Sequence, residues 1–254
     1  MNIFINILVA FLCLLIGYLF GSISFAVIYG KVKYKQDIRQ FGSGNAGATN
    51  VKRTWGRKAG LLVTILDMLK TFLPFVLAWA ILTYVPFDNG RGLIATTHDY
   101  YLGTNDYIIK WPVYWLACIG TCIGHCWPIF EGFKGGKGAA NLIGIICFGT
   151  WMVGFLPMCI YFPIKKKTKM VSFTVLVTTG TICLISWIYT ILALTVIPKS
   201  LYWLPGYGPF FNIPLWYSIT ISIMYIIVAF RHKENIKRII AGTERKDEKV
   251  KTAN

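Results

Sequence analysis

The residues best suited to chemistry form a glycine- and lysine-rich stretch, GHCWPIFEGFKGGKGAAN, at residues 124–141 between two apolar segments. Glycines allow tight turns that leave backbone amides bare, and the two lysines place positive charge beside them. Apolar sequence resumes after Gly138 and predicts a helix, whose free N-terminal amides would face the same anion. This pattern predicts a phosphate-binding loop made of Lys134, Gly135, Gly136, Lys137 and Gly138.

Two alternative roles for this stretch have to be weighed against phosphate binding. A nucleotide-binding P-loop needs G-x-x-x-x-G-K followed by Ser or Thr, whereas here Gly138 follows Lys137 and no strand is predicted before the loop. A nucleotide site is therefore rejected. The second alternative stays open at this point: a short cytoplasmic turn whose lysines follow the positive-inside rule and whose glycines only let helices pack.

A second polar stretch, FGSGNAGATNVKRTWG at residues 41–56, also lies between apolar runs. Its glycines satisfy G-x-G-x-x-G, but a dinucleotide site needs a strand before the motif and a crossover helix after it. What remains is a set of hydrogen-bonding side chains with one arginine that can hold two phosphate oxygens, namely Ser43, Asn45, Thr49, Asn50 and Arg53. The alternative is an ordinary polar turn, because Gly, Ser and Asn are common in loops.

The elements that position these residues are membrane helices. The chain has 254 residues, 56% of them hydrophobic, and a mean hydropathy of +0.58, and several apolar runs reach the ~20 residues needed to cross a bilayer. A net charge of +16 would suit nucleic acid, but the basic residues lie in short loops between apolar runs. Membrane orientation and anionic substrates account for the charge, and no nucleic-acid partner is expected.

The apolar runs predict an all-α polytopic membrane protein of about seven transmembrane or membrane-embedded helices in a single domain, residues 1–254. Loops assigned to the cytoplasm hold 22 of the 26 Lys and Arg, which places the N-terminus outside and the C-terminus inside. Residues 138–164 could form one span, but two helices broken near 149–154 keep the lysines at 165–169 in the cytoplasm. Residues 240–254 are predicted to form a charged cytoplasmic tail whose end is solvated.

Several intramembrane residues predict helix contacts. Asp67 and Lys70 lie one turn apart in the second span and are expected to form an ion pair that braces the site. Small residues on one face of the first span predict close packing, namely Gly17, Gly21, Ser22 and Ser24.

Three cysteines share one predicted helical face near His125: Cys118, Cys122 and Cys126. A metal cluster is conceivable, but cysteine is also a small packing residue that suits close helix contacts. We prefer the packing role.

Three polar stretches now fall on the same predicted face, the third being RHKENIKRIIAGTE at residues 231–244. The sequence resembles the bacterial acyl-phosphate:glycerol-3-phosphate acyltransferases, the PlsY family. The resemblance rests on this stretch and on four others, in order along nearly the whole chain: GSISFA (21–26), DIRQFGSGNAGATNVKRTWG (37–56), LDMLK (66–70) and GHCWPIFEGFKGGKG (124–138).

The resemblance implies an enzyme that moves a fatty acyl group from acyl phosphate to the 1-hydroxyl of glycerol 3-phosphate. The products would be lysophosphatidate and inorganic phosphate, in the first acylation of phospholipid biosynthesis. It also implies a multi-pass protein of the bacterial cell membrane that acts as a monomer among membrane lipids. Its active site would lie on the cytoplasmic face, and a soluble enzyme would supply the acyl phosphate. Because acyl phosphate is already activated, positioning and charge stabilisation suffice, and no metal or organic cofactor is implied.

Carried over position by position, the family's catalytic residues fall on His232, Asn235, Ser43 and Arg53. Its substrate-phosphate-binding residues fall on Asn45, Thr49, Asn50, His125, Lys134, Gly135, Gly136, Lys137, Gly138 and Ser172. The chain departs from the family at GAAN, residues 138–141, where GVAT is commoner, so a role for Asn141 does not follow. The rival hypothesis from another class is a transporter of a phosphorylated metabolite, because helix-end anion sites recur there.

Overall fold

The computed structural model describes residues 2–86, 93, 112–149, 151–196 and 214–246, and every regular element within these ranges is helical. Apart from residues 86 and 93, the predicted outer loops 86–110 and 198–213 lie outside the described residues, as does the tail beyond residue 246.

The longer α-helices of the described ranges follow the apolar runs of the sequence, and two short ones, Ala48–Trp55 and Lys233–Ile240, lie in polar stretches. They are α1 (Asn2–Gly21), α2 (Phe25–Tyr29), α3 (Ala48–Trp55), α4 (Arg57–Tyr84), α5 (Trp115–Cys126), α6 (Ala139–Gly149), α7 (Trp151–Thr168), α8 (Val171–Thr195), α9 (Pro214–Arg231) and α10 (Lys233–Ile240). A π-helical turn, Gly30–Tyr34, continues α2, and short 3-10 turns occupy Ile38–Gln40 and Ile129–Glu131.

Three helical segments in the described ranges are long and apolar enough to cross a membrane: Ile3–Tyr34, which includes α1 and α2, Arg57–Tyr84 and Val171–Thr195. A fourth is added if α9 and α10, bent by 64° at their junction, count as one. The all-helical membrane architecture is therefore confirmed. The count of seven membrane-embedded helices and the orientation of the termini remain predictions.

Residues 139–168 form two helices, α6 and α7, on either side of residue 150. α6 has 11 residues, too few to cross a bilayer unaided, since crossing needs about 20. The division into two helices predicted from the lysine distribution is confirmed. The side of the membrane on which the lysines at 165–169 lie stays a prediction.

Helices α1 and α5 pack backbone to backbone. A Cβ atom added at Gly17 or Gly21 of α1, or at Gly120 or Gly124 of α5, would lie 2.1–2.2 Å from a backbone oxygen of the opposite helix. Only glycine allows so close an approach, as in the small-residue interfaces of other membrane helices. The close packing predicted for the first span is thus confirmed at Gly17 and Gly21, and the partner face on α5 is a glycine pair with the same spacing.

The buried ion pair predicted in the second span is present. Lys70 Nζ lies 3.0 Å from Asp67 Oδ1, and both side chains are only 2% exposed. The same ammonium donates hydrogen bonds to the carbonyl oxygens of Gly21 (3.1 Å) and Ile23 (2.8 Å), at the end of α1 where helical carbonyls lack intrahelical partners. Lys70 therefore joins α4 to the end of α1. Removing one partner of a buried ion pair lowers the free energy of unfolding by about 3–5 kcal/mol, because it leaves an unpaired buried charge.

The packing role of the cysteines agrees with the structure. Cys118 and Cys122 are fully buried in a core cluster with Tyr217 and Met224. Within the described ranges, no three His, Cys, Asp or Glu side chains are grouped in a way that could hold a metal ion.

The division of residues 139–168 leads to a prediction about topology. Single cysteines introduced at Lys166 and Thr97 of a Cys-free variant should differ in reactivity with a membrane-impermeant thiol reagent, because the positive-inside rule places position 166 in the cytoplasm. In intact cells only position 97 should react, and after permeabilisation both should. Labelling of position 166 in intact cells would contradict the cytoplasmic assignment of the lysines.

Candidate active site

A cavity of about 860 Å³ lies at the end of the helix bundle where α5 and α9 finish and where α4, α6 and α8 begin. The cavity brings the three polar stretches of the sequence together. Of the predicted site residues, all line it except Gly136 and Gly138; the lining members are Ser43, Asn45, Thr49, Asn50, Arg53, His125, Lys134, Gly135, Lys137, Ser172, His232 and Asn235. The functional role of each remains a prediction.

Asn50 organises the first polar loop. Its side chain is buried at 1% exposure, and its Oδ1 accepts a hydrogen bond from the Ser43 amide (3.0 Å). Its Nδ2 lies 2.9–3.1 Å from the carbonyl oxygens of Ile38, Phe41 and Asn45. Because these loop contacts occupy the amide group, the arrangement does not support the prediction that Asn50 binds phosphate. Asn50 instead holds the turn that presents Ser43.

Thr49 and Arg53 belong to α3 and line the cavity four residues apart, so they share one face of the helix. The turn that leads into α3 needs glycine at position 42, where φ is +59° and an added Cβ would lie 2.3 Å from Asn50 Oδ1. The glycines of this stretch therefore serve the local fold, which agrees with rejecting a dinucleotide motif.

The loop of residues 134–138, called here the glycine and lysine loop, packs against the end of α5. The Gly136 amide donates to the His125 carbonyl (2.9 Å), and a Cβ at Gly136 would lie 2.1 Å from the His125 ring. Gly138 has a φ of +77°, and a Cβ there would lie 2.9 Å from Cys122 Sγ. These two glycines are required for packing, and neither lines the cavity; their role as phosphate ligands stays a prediction.

Arg231, at the end of α9, holds this loop from the other side. Its Nε and one terminal nitrogen donate to the Gly136 carbonyl oxygen at 3.2 and 3.0 Å, and its guanidinium lies 5.2 Å from the centre of the Trp127 ring. The loop carbonyls therefore face Arg231, while Lys134 and Lys137 line the cavity. Sequence reasoning did not single out Arg231, although it stands directly before His232.

Asn235 joins the second and third polar stretches. Its Oδ1 accepts a hydrogen bond from Lys137 Nζ, and its Nδ2 donates to Ser172 Oγ (2.8 Å) and to Glu244 Oε1 (2.7 Å). Glu244 Oε2 in turn accepts from Arg238 Nε at 2.9 Å. The network fixes the orientation of the Asn235 amide, because a carboxylate can only accept and an ammonium can only donate.

Glu244 is buried in this network although it lies within the predicted charged tail, residues 240–254. The chain turns back after α10, and Glu244 is 7% exposed. The sequence signal that could have marked Glu244 is its position: it is the single acid that follows Ala241, Gly242 and Thr243 within the third polar stretch.

His125 lies beneath the glycine loop, buried, with Nδ1 3.6 Å from Asp67 Oδ1. The ion pair of α4 thus reaches the floor of the cavity, as the predicted bracing role requires. Asn141 does not line the cavity: its Nδ2 donates to Thr71 Oγ1 at 2.8 Å and so joins α6 to α4.

Positive charge dominates the cavity wall. Its Lys, Arg, Asp and Glu residues are seven bases and three acids: Arg53, Lys134, Lys137, Arg231, Lys233, Arg238 and Arg245 against Asp67, Glu234 and Glu244. The first residues of α3, α6 and α8 also line it, so that three helix N-termini direct their positive dipole ends at one space. The helix start predicted after Gly138 is confirmed. Such a wall favours a multiply charged anion.

Burial changes the protonation of two groups in the site. Burial, reinforced by the positive charge of Arg238, lowers the pKa of Lys137 to about 8. Burial also lowers the pKa of His232 to about 4. His232 Nδ1 lies 2.7 Å from the Val228 carbonyl oxygen, which can only accept, so Nδ1 carries the proton and Nε2 is left as an acceptor. At neutral pH His232 is an uncharged, fixed imidazole.

One side of the cavity is apolar. Ile143 of α6, Tyr161 of α7, Val175 of α8 and Phe230 of α9 line it, and Phe230 is more than half exposed on the outer surface of the bundle. A ligand with a charged group and an alkyl chain can therefore place each part against matching surface.

The chain is similar to known proteins over nearly its full length. A family model described as glycerol-3-phosphate acyltransferase matches residues 11–242. A glycerol-3-phosphate acyltransferase of Mycoplasmopsis pulmonis is 35% identical over 246 residues, covering 95% of each chain. One of Macrococcus caseolyticus is also 35% identical, covering 92% of this chain and 95% of that relative.

The fold is similar to that of a solved membrane protein. The crystal structure of PlsY, an integral membrane glycerol 3-phosphate acyltransferase, in its glycerol 3-phosphate form gives a TM-score of 0.67 at 27% identity, covering 93% of this chain and 94% of that chain. The lysphosphatidic acid form of PlsY gives 0.66 at 26% identity.

The geometry of Asn50 predicts a loss of stability when its donors are removed. Asn50→Asp keeps the acceptor for the Ser43 amide but places a carboxylate against three carbonyl oxygens, which should lower the free energy of unfolding by about 2–4 kcal/mol. Thermal unfolding in detergent would measure the effect. Thr49→Ala, at the neighbouring position, is the matched control and should leave the unfolding temperature nearly unchanged. Equal unfolding temperatures for Asn50→Asp and Thr49→Ala would contradict the organising role.

Proposed function

This chain belongs to the glycerol-3-phosphate acyltransferase family, and on that premise we propose that it transfers a fatty acyl group from acyl phosphate to the 1-hydroxyl of sn-glycerol 3-phosphate. The products are lysophosphatidate and inorganic phosphate. The observation that carries the proposal is the cavity itself, where seven basic side chains and three helix N-termini face one space with an apolar wall beside it. Both proposed substrates carry phosphate, and one also carries an alkyl chain.

The phosphate groups are proposed to bind the cationic part of the cavity. Arg53 can hold two phosphate oxygens through its planar guanidinium, and Lys134 and Lys137 add point charges beside the N-terminus of α6. Ser43 and Thr49 supply hydroxyl groups in the same cavity. The acyl chain would lie along the apolar side, towards Phe230 and the surrounding lipid.

In the proposed reaction the 1-hydroxyl oxygen of glycerol 3-phosphate attacks the acyl carbonyl carbon. The bond from that carbon to the phosphate oxygen breaks, and phosphate leaves with the bonding electrons. The hydroxyl proton passes to a phosphate oxygen of a bound substrate. The contribution of the protein is to bring the two substrates together and to stabilise negative charge on the reacting oxygens, which preorganised cations and amide groups do well in a site partly shielded from water.

His232 and Asn235 are proposed to orient the substrates rather than to remove the proton. With a pKa lowered to about 4, the His232 imidazole is a weak base, although it is uncharged and its Nε2 can accept a hydrogen bond from the hydroxyl. The Asn235 amide is fixed by Lys137, Ser172 and Glu244 and holds Lys137 in place.

The position of the site supports a reaction at the membrane surface. Every cationic loop that lines the cavity is one that the positive-inside rule assigns to the cytoplasm, where glycerol 3-phosphate and a soluble acyl-phosphate-producing enzyme would be present. The protein is proposed to act as a monomer in the bacterial cell membrane.

The donor is tested by offering purified protein radiolabelled glycerol 3-phosphate with acyl phosphate, acyl-CoA or acyl carrier protein in separate reactions. Acyl phosphate should give labelled lysophosphatidate, whereas the other donors should give little, because the cavity has an anion site but no nucleotide-binding motif. A Lys137→Gln preparation, purified in parallel, controls for contaminating acyltransferases. Product formed as fast from acyl-CoA as from acyl phosphate would overturn the donor assignment.

The role of His232 is tested by the pH dependence of kcat/KM. His232→Gln keeps a hydrogen-bonding side chain but cannot act as a base, so substantial activity should remain. The acidic limb of the wild-type profile should persist in the variant, since it would come from the second ionisation of the substrate phosphate, whose pKa is about 6. A loss of roughly 10²- to 10⁴-fold together with disappearance of that limb would identify His232 as a general base.

A further inference from the structure

Arg39 lies between the first polar loop and the glycine and lysine loop. On its own loop its Nε contacts both carboxylate oxygens of Asp37, at 3.0 and 3.1 Å, and one terminal nitrogen adds a contact at 2.7 Å. On the neighbouring loop, its guanidinium donates to the Glu131 carbonyl oxygen at 2.9 Å and lies 2.9 Å from the Glu131 carboxylate. One side chain thus binds residues that are 92 positions apart in the chain.

Each end of this contact is fixed within its loop. On the Arg39 side, the carbonyl groups of Ile38 and Phe41 accept hydrogen bonds from Asn50, which also holds Ser43. On the other side, Glu131 ends the 3-10 turn Ile129–Glu131, and its carbonyl oxygen also lies 3.4 Å from the Lys134 amide. A displacement of Arg39 from Glu131 would therefore change the separation of Ser43 and Lys134.

Partial burial makes this contact stronger than an ordinary surface ion pair. The side chains of Arg39 and Glu131 are 22% and 13% exposed, whereas that of Lys31, which lies 3.8 Å from Glu131, is 56% exposed. Hydrogen bonding from Arg39 lowers the pKa of Asp37, which keeps that carboxylate negative beside the guanidinium at neutral pH. Solvent-exposed ion pairs contribute little to stability, whereas pairs with good hydrogen-bond geometry and little contact with solvent contribute more.

We infer that Arg39 and Glu131 form an interloop clamp that sets the distance between the two phosphate-binding loops and thereby determines the affinity for glycerol 3-phosphate. They are positioning residues: neither lines the cavity, and both act through the loops that carry Ser43 and Lys134. The kinetic part of this inference rests on the proposed function. The structural part does not, because it concerns the motion of one loop relative to the other.

The test uses Glu131→Gln, which removes the charge but keeps the size of the side chain and the backbone acceptor. The KM for glycerol 3-phosphate should rise ~3- to 10-fold while kcat changes less than about 2-fold, because an interaction that only positions the binding loops affects substrate binding more than the chemical step. Lys31→Gln is the matched control and should change KM less than about 2-fold, because its contact with Glu131 is longer and more exposed.

Arg39→Gln and the double variant Arg39→Gln/Glu131→Gln complete a cycle that isolates the contact between the two side chains. The effects on KM should be less than additive, since the second substitution removes a contact already lost. Additive effects would mean that the two residues act independently and would overturn the clamp.

Hydrogen–deuterium exchange of the full-length protein provides a readout that does not depend on activity. Glu131→Gln should raise deuterium uptake in peptides covering residues 129–136 and leave uptake in α4 unchanged, and Lys31→Gln should do neither. Unchanged uptake at 129–136, or a rise spread over all helices, would overturn the clamp. Absence of lysophosphatidate synthesis by the wild-type protein would instead overturn the proposed function, and the exchange result would still decide on the clamp.

Discussion

Mutual repulsion of positive charges is the constraint on which the arrangement of the site depends. Seven basic side chains and three helix N-termini face a single cavity. The contacts around them oppose that repulsion with negative or dipolar groups: the Gly136 carbonyl for Arg231, Glu244 for Arg238, and the Asn235 amide oxygen for Lys137. The free protein is therefore already arranged for an anion, which is how electrostatic preorganisation avoids rearrangement during a reaction.

Three helices at the floor of the cavity are fixed to one another by close contacts. The glycine pairs of α1 and α5 bring two backbones together, and Lys70 attaches α4 to the end of α1. The basic side chains that face the cavity lie mostly on loops and helix ends, as is usual for functional residues on a rigid scaffold. Close backbone packing of α1 against α5 thus determines where the end of α5, with His125, meets the glycine and lysine loop.

Features that depend on local sequence could be predicted. The ion pair of Asp67 and Lys70 follows from a spacing of three residues in an apolar helix, and the break between α6 and α7 follows from the placement of lysines. The loop contacts of Asn50 could not be predicted, because its partners are backbone groups of a loop whose path is not visible in residue types. The same holds for Glu244 and Glu131, whose partners depend on how segments far apart in the chain fold together.

The glycines of the loop show a second limit of sequence reasoning. Composition indicates that a glycine-rich loop can expose amides to an anion, yet Gly136 makes room for the His125 ring. A glycine needed for close packing and one needed for ligand contact look identical in a sequence, and only the neighbours in space separate them.

The depressed pKa of Lys137 couples binding to the proton concentration of the medium. With a pKa of about 8 the free site holds this proton only partly in mildly alkaline solution. A phosphate dianion placed beside Lys137, as in the proposed complex, favours the charged ammonium and raises the pKa again. Binding above neutral pH would then draw a proton from the solvent, and the heat of association would vary with the ionisation enthalpy of the buffer.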